Sequence, residues 1–178
     1  TETFRPAPWS EREKKGPSVV FIGRLTEKKG PLILIEAFRL VHRSMPEATF
    51  TIIGDGPMRK QVYNKIREYK LDSAVTLAGE LSREDALKQA GYHWVYAQHS
   101  ITAPSGDQEG FGVSIAEASA LELPVVSTWH NGIPEQIIDG ENGYLVREYD
   151  YETMAERIQH LLKEPETIQR MGKNGRKR

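Results

Sequence analysis

SVVFIGRLTEKKGPLILIEAFRLVHRSMPEATFTIIG, residues 18–54, reads as strand, loop, helix and strand in succession. SVVFIG (18–23) is an apolar run rich in β-branched residues, which favours a strand. Pro31 stands where a first helical turn tolerates a missing N–H. Leu34, Ala37, Phe38, Val41 and Met45 then recur at helical spacing, so this helix lays one face on a sheet. ATFTIIG (48–54) is the second strand, closed by Gly54-Asp55-Gly56-Pro57, a turn by composition. Two strands joined by a helical crossover are the building unit of a parallel sheet.

The pattern repeats downstream. Residues 58–70 are helical, AVTLAG (74–79) is a third strand, and Ser82 with Asp85 resembles an N-cap arrangement opening a short helix to Ala90. HWVYAQ (93–98) is a fourth strand. A long loop, HSITAPSGDQEGFG, leads to the helix VSIAEASALE and the strand PVVST (124–128). A short helix from Pro134 to Ile138, a last strand at GYLV (143–146) and two C-terminal helices complete the order. The expected fold class is α/β: a doubly wound, mostly parallel six-stranded sheet with helices on both faces, binding ligands beyond the carboxyl ends of its strands. Thr1 to Lys15 are polar, proline-bearing and without period. Residues 1–16 therefore read as a linker from a preceding domain and 17–178 as the folded unit.

Composition narrows the chemistry. A chain of 178 residues can bury roughly 70% of its unfolded surface, enough for one core. With 38% hydrophobic and 28% charged residues and a net charge of -1, it has no global bias toward nucleic acid. The absence of cysteine removes disulfides, thiolate metal sites and a thiol nucleophile, and fits a reducing compartment. No apolar run approaches the ~20 residues of a membrane span. No Asp-x-Asp occurs, so a divalent metal has no obvious pair of ligands. His99 and His130 are loop histidines without a second ligand at metal spacing, and a solvent-exposed structural role is expected of them.

Four clusters fall at strand ends. In Glu109-Gly110-Phe111-Gly112-Val113-Ser114-Ile115-Ala116-Glu117, two glutamates bracket a glycine-rich helix entrance. Gly110 and Gly112 let the backbone approach a ligand closely, and the free amides of a helix start form an anion site suited to phosphate. Glu117, in a helix expected to be buried on most sides, needs a donor, and ribose hydroxyls would supply two. Alternatively Glu109 is a solvated loop residue and Glu117 bonds an amide or a basic side chain. Gly23-Arg24-Leu25-Thr26-Glu27-Lys28-Lys29-Gly30 follows the first strand, where Arg24 and Lys29 could reach a diphosphate or could decorate an exposed loop. Gly54 to Pro57 and Gly79-Glu80-Leu81 are plain turns in isolation, but lie on the same edge. Neither G-x-x-x-x-G-K nor G-x-G-x-x-G occurs, which weakens nucleoside-triphosphate and dinucleotide readings.

With these residues in hand, the chain resembles the C-terminal domain of family 4 glycosyltransferases, two-domain enzymes of the GT-B fold. Matching landmarks run from Phe21 to Val146: FIGRLTEKKG, IIGDGP, LAGE, EGFGVSIAEA, LPVVST and NGIPEQIIDGENGYLV. The spacing of Glu109 and Glu117 matches the hallmark of the retaining members. The resemblance implies a Rossmann-like half that binds a nucleotide-diphosphate sugar and transfers its hexosyl group with retention, without metal or other cofactor. Arg24 and Lys29 match the positions holding the diphosphate, and Glu109 the glutamate close to the transferred sugar. Phe111, Gly112 and Val113 match the segment against sugar and phosphate, and Glu117 the ribose-binding residue. Gly23 lies beside Arg24, and Gly54 and Leu81 stand where the nucleoside is placed. An acceptor glycan or glycolipid would be bound by the missing N-terminal domain. The tail of the motif region looks most like transferases of bacterial exopolysaccharide and lipopolysaccharide assembly. That implies a cytoplasmic protein with peripheral association at the inner face of the membrane, and no nucleic-acid partner. The competing readings are a non-catalytic nucleotide-sugar-binding module and another GT-B enzyme, such as a nucleotide-sugar epimerase or a phosphorylase, against which the glutamate spacing argues.

Overall fold

In the computed structural model, which describes residues 4–178, six strands form one wholly parallel sheet in the order β3-β2-β1-β4-β5-β6. The strands are β1 (Ser18–Ile22), β2 (Thr49–Ile53), β3 (Val75–Gly79), β4 (Val95–Ala97), β5 (Val125–Thr128) and β6 (Gly143–Val146). Helices α2 (Pro31–Ser44), α3 (Arg59–Glu68), α4 (Arg83–Ala90), α5 (Val113–Ala120), α6 (Ile133–Gln136), α7 (Tyr151–Leu162) and α8 (Pro165–Lys177) follow the strands, and α1 (Trp9–Lys15) precedes them.

Strand alternation splits the core in two. Val19 and Phe21 of β1 face a cluster completed by Leu34, Phe38 and Val41 of α2, Val62 and Ile66 of α3, and Met154, Ile158 and Leu161 of α7. Val20, between them, faces the opposite cluster with Leu87 of α4 and Ile115 and Ala118 of α5. Each fully buried Leu, Ile, Val or Phe contributes roughly 1.5–3 kcal/mol, which is why the helical stripe of α2 was readable from sequence. β1 has β2 on one side and β4 on the other. The chain leaving β1 turns to α2 on one face, and the chain leaving β4 runs to α5 on the other. A crevice opens where these connections diverge, the place at which open α/β sheets bind ligands.

Two expectations are corrected. The stretch read as a linker contains α1, which packs against the domain: the Trp9 and Trp94 rings are 5.0 Å apart, and Trp94 Nε1 donates to Arg12 O at 2.7 Å. Arg12 is buried, and its guanidinium donates to the carbonyls of Ala7, Glu122 and Leu121. Seven residues are too few to display a period, and these partners lie far away in sequence. Helix α5 is not buried on most sides either. Only Ile115 and Ala118 are buried, while Val113 is exposed. Its small residues let α8 approach closely, with Gly175 meeting Ser119, while Ala118 packs toward the sheet.

Candidate donor cleft and its flanking ion pair

The loops after β1, β2 and β3 are stitched together before they diverge. Gly23 N–H donates to Ile53 O at 3.0 Å, and Gly54 N–H donates to Gly79 O at 2.8 Å. At Gly54 only glycine fits: φ is 143°, and a Cβ would stand 1.9 Å from Gly23 O. The stitched loops form one wall of a cleft of about 750 Å³. Gly23 and Arg24, Gly54 and Asp55, and Glu80 and Leu81 line that wall, and Arg83 of α4 with Val113 and Glu117 of α5 face them.

Glu117 points into this cleft from the second turn of α5, with its side chain only 12% exposed. Its partner is Arg83 Nε at 2.7 Å, and Arg83 is itself 66% exposed. The buried carboxylate thus has the basic side chain that its surroundings demanded, but one that water and ligand can reach. Arg24 is exposed on the opposite wall and, among the described residues, pairs with no carboxylate. Gly112 caps α5 in the left-handed region, at φ 66° and ψ 61°, which a side chain would strain. Beyond it, the amides of Val113 and Ser114 donate to no protein acceptor among the described residues. Free amides at a helix start, an exposed guanidinium and a shielded carboxylate in one hollow suit a molecule that carries both phosphate and hydroxyl groups.

Lys29 and Glu109 meet away from that cleft. Lys29, at the end of the 3₁₀ turn Glu27–Lys29, forms an ion pair with Glu109 Oε2, and both side chains are nearly closed off, 13% and 11% exposed. Removing one partner of a pair this shielded leaves an uncompensated charge, at a cost of about 3–5 kcal/mol if the surroundings do not relax. Behind the pair runs a polar chain in which Gln98 Oε1 accepts from the Tyr96 hydroxyl at 2.8 Å and from Ser114 Oγ at 3.2 Å. Burial raises the Tyr96 phenol well above its ordinary value, so it stays a neutral donor. The expected site residues other than Gly112, which caps α5, therefore fall into three places. Gly23, Arg24, Gly54, Leu81, Val113 and Glu117 line the cleft. Lys29 and Glu109 form the separate pair. Phe111 turns its side chain toward a second hollow of about 470 Å³, while its carbonyl accepts from Gln136 Nε2.

The two loop histidines expected at the surface are buried. His99 Nε2 accepts from Tyr149 N–H at 2.7 Å, and burial holds its imidazole down at about 4. His130 contacts the Glu109 amide at 3.1 Å and Glu148 at 2.5 Å. Sequence reasoning missed Arg83, Asn131 and Glu148. Arg83 follows Glu80-Leu81 at a helix start and could have been flagged by position, whereas Glu148 looks like any charged residue after a strand. Among the described residues no three His, Cys, Asp or Glu side chains are grouped to hold a metal ion, and no helix is long and apolar enough to cross a membrane.

Comparison with known proteins supplies a frame for this geometry. Residues 5–178 match the family model described as Glycosyl transferases group 1. The chain is 34% identical over 154 residues to a putative colanic acid biosynthesis glycosyltransferase, WcaL, of Escherichia coli K12, covering 84% of this chain and 38% of that protein. It is 36% identical over 137 residues to the amylovoran biosynthesis glycosyltransferase AmsK of Erwinia amylovora, covering 77% of this chain and 34% of that one. The chain thus spans little more than a third of these relatives. Among solved structures, a point mutant of S. aureus TarM in complex with fondaparinux, α-GlcNAc-glycerol and UDP superposes with a TM-score of 0.83 at 25% identity, over 92% of this chain and 32% of that one.

Proposed function

Because the chain belongs to the group 1 glycosyl transferases, we propose that it is the donor-binding part of a retaining hexosyltransferase that uses a nucleotide-diphosphate sugar without a metal ion or other cofactor. The observation that carries this reading is the convergence on one cleft of Arg24 after β1, the free amides at the start of α5, and Glu117 one turn further on. The diphosphate would lie between Arg24 and those amides, with the ribose against Glu117 and the base toward Gly54 and Leu81. Arg83 would yield Glu117 to the ribose hydroxyls. The UDP in the TarM complex and the similarity to the polysaccharide-biosynthesis glycosyltransferases WcaL and AmsK support the same reading.

In the proposed reaction the bond between the anomeric carbon and the diphosphate oxygen breaks, and the acceptor hydroxyl attacks from the same face, passing its proton to the departing phosphate oxygen. The sugar gains oxocarbenium character while negative charge gathers on the departing nucleotide. Arg24 and the α5 amides stabilise that charge in a pre-organised site, a contribution of a few kcal/mol per donor in comparable oxyanion sites, while Lys29 holds the Glu109 carboxylate in their ion pair. Glu109 orients sugar hydroxyls or supports the developing positive charge. It need not become a covalent nucleophile. The acceptor, a glycan or glycolipid of exopolysaccharide or lipopolysaccharide assembly, would be bound by an N-terminal domain that completes the active site. We place the intact enzyme in the cytoplasm, at the inner face of the membrane.

Calorimetric titration of the chain with uridine, guanosine and adenosine diphosphates and their hexose derivatives tests the donor assignment. Binding of one base series is expected, and no binding of any member at millimolar concentration refutes it.

A further inference from the structure

Both main-chain polar groups of Glu109 are taken by side chains of two consecutive residues that lie outside the donor cleft. His130 Nε2 accepts from Glu109 N–H at 3.1 Å, and Asn131 Nδ2 donates to Glu109 O at 2.8 Å. A main-chain N–H can only donate, so Nε2 must present its lone pair, and a neutral ring then carries its proton on Nδ1. That proton is donated to Glu148 Oε1 at 2.5 Å, and the same oxygen accepts from Thr102 N–H at 2.9 Å. The His130 side chain is 3% exposed, so water is not at hand to replace either bond. Asn131 sits at φ 42°, in the left-handed region that asparagine tolerates better than most residues, and also donates to Gln108 Oε1 at 2.9 Å. Glu148 is held in turn, since the next residue, Tyr149, donates its amide to the buried His99.

Three loops, leaving β4, β5 and β6, are thereby tied together at one residue, through the two peptide units that flank its Cα. With the peptide units before and after Glu109 both held, side-chain torsions are left to place its carboxylate, and the pairing with Lys29 takes them up. A carboxylate backed in this way is held to the narrow tolerance that a reacting centre requires. We infer that His130, oriented by Glu148, and Asn131 are positioning residues that set the Glu109 carboxylate against the transferred sugar. The inference rests on the donor reading of Glu109 given above. Its distinctive consequence is selective: the sugar portion of a donor depends on His130 and Asn131, whereas the nucleotide portion, bound at Arg24 and Glu117, does not.

The test compares the chain with its His130→Phe, His130→Gln and Asn131→Gly variants. Each is titrated with the same nucleoside diphosphate bare and carrying its hexose, across the uridine, guanosine and adenosine series. For His130→Phe we expect sugar-nucleotide affinity to fall about tenfold and bare-diphosphate affinity to change less than about twofold. His130→Gln, whose side-chain oxygen reaches the place of Nε2, should recover most of the loss. The exposed Asn131→Gly, which suits the positive φ but lacks the donor, should lose about threefold with the same selectivity, and it decides the matter if His130→Phe does not fold. The Glu109 amide resonance should move in His130→Phe and return in His130→Gln. Unchanged sugar-nucleotide affinity in both His130→Phe and Asn131→Gly overturns the inference and leaves the donor reading intact. Equal losses for the bare and sugar-bearing ligands also overturn it, because they mark general loosening. If the parent chain binds none of the ligands, the donor reading falls and this inference with it.

Discussion

Replacing Arg12 by alanine tests whether the first helix belongs to the folded unit. The guanidinium donates three hydrogen bonds, to Leu121 O at 2.7 Å, Glu122 O at 3.0 Å and Ala7 O at 3.1 Å. Two of those carbonyls lie just past the end of α5, where the helix dipole favours a cation. Burial pushes the guanidinium down to about 10, partly countered by Glu122, so desolvation offsets a share of what the bonds contribute. Charge-assisted bonds contribute roughly 1.5–3 kcal/mol each before that offset, and three orphaned carbonyls would cost about 1 kcal/mol each at the low end, so Arg12→Ala should destabilise by about 3–4 kcal/mol. With a urea m-value of about 2 kcal/mol/M for a domain of this size, the unfolding midpoint should drop by about 1.5–2 M at unchanged m. Arg12→Lys, which keeps the charge but not the fork, should lose about half as much. Deleting residues 1–16 should be at least as damaging as Arg12→Ala. A midpoint shift below about 0.3 M for both the substitution and the deletion would refute the reasoning and make the segment a linker after all.

Four further outcomes follow from the same structure. Gly54→Ala, whose Cβ would overlap Gly23 O, should cost more than about 3 kcal/mol in urea unfolding and deform the cleft wall; a loss under 1 kcal/mol, on the order of a surface substitution, would show that the loops are loosely held. Burial holds the His93 and His99 imidazoles at about 3 and about 4, below the 6.5 ordinary for a histidine. Their stabilising contribution is therefore complete above pH 6.5 and lost as the pH falls toward 4 and then 3, by about 2 kcal/mol per histidine at pH 5. Denaturant titrations at pH 5 and pH 7.5 with equal midpoints would contradict this. In the intact enzyme, Glu109→Ala, Arg24→Ala and Lys29→Ala should each lower turnover by about 10²-fold or more, whereas Glu117→Ala should chiefly raise the donor KM. Near-normal steady-state kinetics in all four would refute the assignment. Turnover should also survive excess chelator, and its loss with recovery on adding a divalent ion would overturn the metal-independent reading.

How far the sequence carries can be judged residue by residue. The strands and helices from Ser18 onward, and the doubly wound sheet they form, were legible because burial shapes the local pattern: β1 is a continuous apolar run, as a strand covered on both faces requires, and α2 repeats its apolar face every three to four residues. The glycines at strand ends were legible for a related reason, since a Cβ at Gly54 would overlap Gly23 O and Gly112 holds a left-handed backbone that glycine adopts without strain. Tertiary structure alone decided the rest. Arg12 finds its partners 109 and 110 residues away, which no local pattern in a seven-residue helix can announce. Lys29 turned to Glu109 and not into the main cleft, Glu117 took Arg83, and His130 became a buried acceptor for the Glu109 amide. Each of these pairings was settled by which loops the sheet order brings side by side. A charged or imidazole side chain advertises its chemistry in the sequence, but its partner depends on distances that exist only once the chain has folded.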